Sequence, residues 1–182
     1  MPTWSNKPPA AAKSAAMEII RTPAARPLTA TVISSELIGT ATHYSNARTT
    51  PCGRPDDCPL CDRGLPWRWH GYLAVLADGQ HRPQILEVTA QAAESLNAAA
   101  QQFGTLRGAR IKLSRAGKRP NGRVQVAAAP PRPDADPLPP EPDVVHALCH
   151  VWNYDPTRAN PAPRHPSGSR QTHVSPQPQP PA

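Results

Sequence analysis

The chain has 182 residues, 26 of them proline, only 4% aromatic residues and a formal net charge of +7. So few large apolar groups exclude a core running the whole length, which leaves room for one modest domain between unstructured ends. No stretch approaches the roughly 20 apolar residues that span a bilayer, and the first 27 residues hold no apolar run of the signal-peptide kind, so no membrane partner is expected.

Residues 1–27 carry Lys7, Lys13, Arg21 and Arg26 against the single acid Glu18, among Pro and Ala, and read as a disordered basic arm. Leu28 to Ile38 reads as a first strand, with β-branched Thr29, Thr31, Val32 and Ile33. A polar, cysteine-bearing loop follows over 43–65. Trp67 to Ala77 is a second strand, Asp78-Gly79 a hairpin turn, and Gln84 to Val88 the returning third strand. Thr89 is placed to cap a helix over Ala90–Phe103, and Gly104 to end it. Leu106 to Arg115 and Arg123 to Ala127 are the fourth and fifth strands, joined through Asn121-Gly122. Beyond the 28–129 body lie a Pro-rich linker (130–142), a short amphipathic helix (143–154, DVVHALCHVWNY) and a disordered Pro-rich tail (155–182); residues 130–182 hold 15 of the 26 prolines. The order β-β-β-α-β-β predicts a mainly β fold. It suits a five-stranded OB-like Greek-key barrel with its helix between strands three and four and the cysteine loop between strands one and two; a generic five-stranded α+β sheet is the alternative.

The loop THYSNARTTPCGRPDDCPLC presents His43, Cys52, Cys58 and Cys61. A Cys-x-x-Cys turn grips one ion from a single knuckle, and a tetrahedral zinc needs two further ligands. Cys52 is the third; His43, the nearest upstream imidazole, is the expected fourth, with His70 and His81 as alternatives. The loop has too few apolar groups to order itself, so a bound metal would supply the missing stabilisation. A redox Cys-x-x-Cys pair normally opens a helix after a strand, and the acidic Asp56-Asp57 disfavours a lowered thiol pKa here. Three thiolates leave the ion little Lewis acidity, which favours one structural Zn²⁺. A deaminase-type site would need a His-x-Glu, which is missing. Cys149 lies apart, on the apolar 143–154 segment.

No acidic residue stands between Glu94 and Asp134, while Arg107, Arg110, Lys112, Arg115, Lys118, Arg119, Arg123 and Arg132 do. In GARIKLSR and GRVQV the aliphatics alternate with cations, which predicts a core face and a single-signed basic face. In LPWRWHGYLAVL the same alternation assigns Trp67 and Trp69 to the core and Arg68, His70 and Tyr72 to the outside. There Tyr72 would stack on bases and one Trp would join it at the barrel mouth.

Taken together, the His-Cys-Cys-x-x-Cys loop and the late Leu106-Arg107-Gly108 leading into a basic strand, turn and closing strand resemble the zinc-containing OB-fold single-stranded-DNA-binding proteins of phages and bacteria. The resemblance covers 28–129. It implies non-sequence-specific binding of single-stranded nucleic acid, DNA favoured, during DNA replication or recombination. It also implies a cytoplasmic, nucleoid-associated location, without catalysis. Such proteins often end in an acidic tail; Thr157 to Ala182 contains Arg158, Arg164 and Arg170 and no acid, so recruitment of that type is not expected. Two other readings stand beside this one: a protein-interaction adaptor engaging partners through its zinc knuckle and Pro-rich tail, and an RNA-binding zinc protein. No Ser/His/Asp set, paired carboxylates or phosphate-binding Gly loop suggests an enzyme.

Overall fold

The computed structural model describes residues 17–45, 48–53, 58–132 and 137–153. The chain forms β1 (Ile19–Arg21), β2 (Leu28–Val32), β3 (Ile38–Ser45), β4 (Arg48–Pro51), the one-turn α1 (Pro59–Asp62), β5 (Trp67–Ala77), β6 (Gln84–Thr89), α2 (Ala90–Phe103), β7 (Arg110–Arg115), β8 (Val124–Ala129) and α3 (Val144–Val151). A short 3-10 turn, Ala116–Lys118, joins β7 to β8.

The eight strands make one mixed sheet in the order β1-β6-β5-β2-β7-β8, with β3 on β5 and β4 on β3. Only β1 on β6 is parallel. The eleven-residue β5 is its spine. Its His70–Val75 stretch pairs with β6 along one edge. On the other edge Val75–Ala77 pairs with β2 and Trp67–Tyr72 with β3.

α2 begins where Thr89 Oγ1 accepts the Ala92 amide at 3.4 Å and ends at Gly104, whose φ of 80° is the left-handed conformation glycine tolerates. It packs against β5, β6 and β8 and buries Ala92, Ala93, Leu96 and Ala99 on Ala30, Val32, Leu73, Val75, Leu86, Ile111 and Leu113. α3 is capped by the Asp143 carboxylate, which accepts the His146 amide at 2.9 Å. It lays Val144 and Leu148 over a second core on the opposite face of the sheet, with Ile33, Tyr72, Ala74 and Ile85. Two polar ties hold the approach to α3. Arg107 donates to the carbonyls of Ile33 and, at 2.6 Å, Pro139. Glu141 accepts from the amide of Ser35 and, at 2.7 Å, from its hydroxyl.

Several expectations are corrected. The sheet is open, with eight strands in place of a five-stranded barrel, and β1 takes the edge of β6. Residues 17–27 are not an arm: Ile19 and Ile20 pack on the two cores. The first strand stops at Val32. The chain then runs through Ser34–Leu37 and returns as β3, so the cysteine loop follows an extra β3–β4 hairpin rather than a single strand. Linker residues 137–142 are tied down as above; 133–136 lie outside the described residues, as do 1–16 of the arm and the 155–182 tail. Tyr72 is fully buried, not exposed, because α3 covers its face; the Trp152 ring meets it edge-on at 5.3 Å. Trp67, expected in the core, is 58% exposed, since it lies on β5 beyond the reach of α2's buried contacts. Among the described residues no helix is long and apolar enough to cross a membrane.

Candidate metal centre and basic face

β3 delivers His43 as its penultimate inward residue. The hairpin returns along β4, and the Cys52 amide donates to Ala41 O at 2.8 Å, which pins Cys52 beside β3. Cys58 then opens α1, with Pro59 at the first helical position, where its missing N–H and fixed φ cost nothing. Bonds from Asp62 N to Cys58 O (3.1 Å) and Gly64 N to Cys61 O (2.8 Å) close the knuckle.

The ligand atoms of His43, Cys52, Cys58 and Cys61 all lie within 4.8 Å of one another, a cluster able to hold a metal ion. His43 Nε2 is 3.4 Å from both Cys58 Sγ and Cys61 Sγ, and Cys52 Sγ is 3.5 Å from Cys61 Sγ. A tetrahedral ion bonded at about 2.3 Å to sulfur and 2.0 Å to nitrogen sets ligand–ligand edges of roughly 3.5–3.8 Å, close to these contacts and far from a disulfide length. His43 is fully buried, and its Nδ1–H donates to Pro66 O at 3.3 Å. That contact fixes the tautomer that turns the Nε2 lone pair toward the thiols, the outer-shell arrangement typical of metal-ligating histidines. Contrary to the expectation drawn from Asp56-Asp57, Cys58 both opens a helix after a strand and has a lowered thiol pKa: burial pushes it up, but the Cys61 and Leu60 amides, the Cys52 thiol and the Gly53 amide outweigh burial and bring it down to about 6. Cys52 is pushed up to about 12 by burial and by its hydrogen bonds to Cys61 and Cys58. One thiolate therefore forms readily and opposes the next, and a cation between them removes that opposition.

The alternative fourth ligands are elsewhere. His70 is half-buried with Nδ1 2.6 Å from Thr42 Oγ1, and burial lowers its pKa. His81 is exposed in the β5–β6 turn. Cys149 is buried on α3.

No protein family, curated protein or solved structure matches this chain.

The cations divide into two groups. Residues directly opposite across a ladder share a face. Lys112 lies between Thr29 and Ala127, and Arg110 between Thr31 and Ala129, on the solvent side of β2, β7 and β8. Small neighbours leave the Lys112 side chain standing clear. Lys118, Arg119 and Arg123 are exposed in and after the β7–β8 turn. Arg110 is partly engaged, bonded to Asp78 and, at 3.2 Å, to Thr31. The second group is structural. Arg107 ties down the 137–142 segment, and Arg115 braces the turn by donating to Thr22 O at 2.8 Å and Gly122 O at 3.2 Å. Arg68 is exposed on β5, but not beside an exposed Tyr72. The Tyr72 hydroxyl instead donates to Glu87 Oε2 at 3.3 Å, and burial followed by the Glu87 charge pushes its pKa well up. Glu87 is held in turn by Arg21 at 2.6 Å. Sequence reasoning overlooked Tyr44, 66% exposed. Its position next to a buried ligand on a strand was the available signal, because alternation turns it outward.

Proposed function

We propose that this chain is a non-sequence-specific single-stranded nucleic-acid-binding protein, DNA favoured, serving replication or recombination. In this reading the four-ligand cluster holds one structural Zn²⁺. The observation that carries the proposal is the exposed cluster of Lys112, Lys118, Arg119 and Arg123 over β7 and the β7–β8 turn, beside Arg110, whose charge Asp78 partly offsets. Solvated strand faces usually balance both signs, whereas a surface on which four free cations outnumber one paired acid raises the local concentration of a polyanion. The pairings β5 with β6, β2 with β7 and β7 with β8 support reading the sheet as an opened relative of the OB arrangement. The donor set of three thiols and one imidazole favours zinc over the hard cations that take oxygen ligands.

The test is fluorescence anisotropy of the full chain with labelled single-stranded and duplex oligonucleotides at several salt concentrations. Single strands should bind more tightly, with log K falling by about 0.7 per log unit of salt for each phosphate neutralised. Replacing Lys112, Lys118 and Arg119 by Ala should flatten that slope by about two. No binding to any single strand at low salt would refute the assignment and promote the adaptor reading.

A further inference from the structure

Most of the large aromatic side chains among the described residues are packed away. Tyr72 and Trp152 meet in the second core, while Trp69 and Phe103 pack on the first. Tyr44 and Trp67 are the exceptions, 66% and 58% exposed. They are not scattered. Tyr44 follows the buried ligand His43 on β3, and Trp67 sits directly opposite His43 across the β3–β5 ladder. Both rings therefore flank the metal-binding residue at one end of one ribbon.

Strand alternation places the rings on opposite faces of that ribbon, and each has a guanidinium on its own face. Arg68 pairs with Thr42, so it shares the face of Tyr44 and lies diagonally two residues from it, within reach of a long side chain. Arg48 pairs with Ser45 and so shares the face of His43 and Trp67. Arg48 and Arg68 are both exposed. The backbone beneath the rings is fixed: the Cys52 amide is tied to β3, the His43 imidazole to Pro66 O, and the thiols surround Nε2. Aromatic rings on a rigid base lose little entropy on meeting a ligand, and a ring beside a cation suits a base beside its phosphate.

Resting on the binding reading above, we infer that this metal-bound end of the β3–β5 ribbon is where bases of a bound single strand stack, on Tyr44 and Trp67, while Arg48 and Arg68 meet the flanking phosphates. The metal centre then serves binding by holding the rings in place, and the β7–β8 surface carries the strand electrostatically.

The experiment uses the full, metal-loaded chain and labelled oligo(dT). Tyr44→Ala and Trp67→Ala should each weaken binding by about 5- to 140-fold, the equivalent of ~1–3 kcal/mol per stacked base. Salt slope, metal content and melting curve should stay as in the wild type, because both rings stand in solvent. Arg68→Ala should reduce the salt slope by about 0.7. If the wild type binds and both ring variants bind equally well, the inference falls and the binding reading stands. If the wild type does not bind at all, the binding reading itself falls. A wild-type dimer that the ring variants convert to monomer with unchanged oligo(dT) affinity would also overturn the inference, by making the rings a contact between copies.

Discussion

Substituting Tyr72 separates folding from binding. The side chain is fully buried among Ile33, Ala74, Ile85, Val144 and Leu148, with Trp152 edge-on at 5.3 Å. Truncating a large buried ring removes its transfer free energy and leaves a cavity, together about 3–5 kcal/mol. At roughly 3–5 °C per kcal/mol for a body of this size, Tyr72→Ala should lower Tm by ~10–20 °C. Tyr72→Phe keeps the ring and loses only a long hydroxyl bond to Glu87, which retains Arg21 at 2.6 Å; its cost should be about 1 kcal/mol. Urea unfolding followed by circular dichroism gives both values, and anisotropy on the folded protein gives affinity. The expected result is a graded loss of stability with affinity for single strands unchanged in Tyr72→Phe. A Tyr72→Ala protein that melts like the wild type but binds more weakly would refute the reasoning, since the ring would then be reaching ligand instead of core.

Other consequences are equally direct. Protein prepared without added metal should carry about one equivalent of zinc, and chelation should speed hydrogen exchange in the β3–β4 hairpin and the 58–65 knuckle before it touches α2; a triple Cys52/Cys58/Cys61→Ser protein with full metal content would contradict this. A Cβ on Gly39 would come within 1.8 Å of the Trp69 ring, so Gly39→Ala should displace the indole and cost about 1–3 kcal/mol, read as a lower Tm with altered near-ultraviolet dichroism. The amide and hydroxyl of Ser35 hold the Glu141 carboxyl below its usual range. A depressed folded-state pKa contributes stability that is present above the unfolded value, near 4.3, and lost as pH falls through the lower folded value. Exchange of the Ser35 amide, corrected for intrinsic rate, should therefore rise on acidification below about pH 4, and Glu141→Gln should remove that dependence.

Much of this architecture was legible in the chain. The Thr89 cap, the Ala90–Phe103 helix and its Gly104 stop agree with the sequence residue for residue, because cap chemistry and 3.6-residue periodicity are local. The metal quartet was legible for a similar reason, since ligand type and spacing survive any fold that brings the loop together. The β3–β4 hairpin was not. THYSNARTTP has little apolar alternation; β3 is fixed by its pairing with β5 and carries His43, and β4 is fixed by its pairing with β3 just before Cys52. The burial of Tyr72 escaped because alternation assigns a side chain to a face but does not say what covers that face. The consecutive burial of Tyr72, Leu73, Ala74 and Val75 matches the uninterrupted apolar run YLAV, and such a run marks a strand covered on both sides. β1 escaped because a three-residue parallel edge strand has almost no pattern of its own.

The placement of the candidate ligands on β3, just after β4 and on α1 before β5 bears on how the protein is made. These elements are consecutive in the chain and pair with their sequence neighbours, so the contacts that build the metal-binding cluster are short-range. The Arg21–Glu87 bond that locks β1 closes over 66 residues, and β2 must await β7. Short-range contacts form first, because their loop-closure entropy is small. Metal capture should therefore come early in folding, as soon as the segment through β5 is free to pair, and the long-range strands should assemble onto an already loaded meander. If the proposed zinc occupies the cluster, then in cells short of zinc the first failure would be an incomplete nucleus rather than a finished protein lacking its ion.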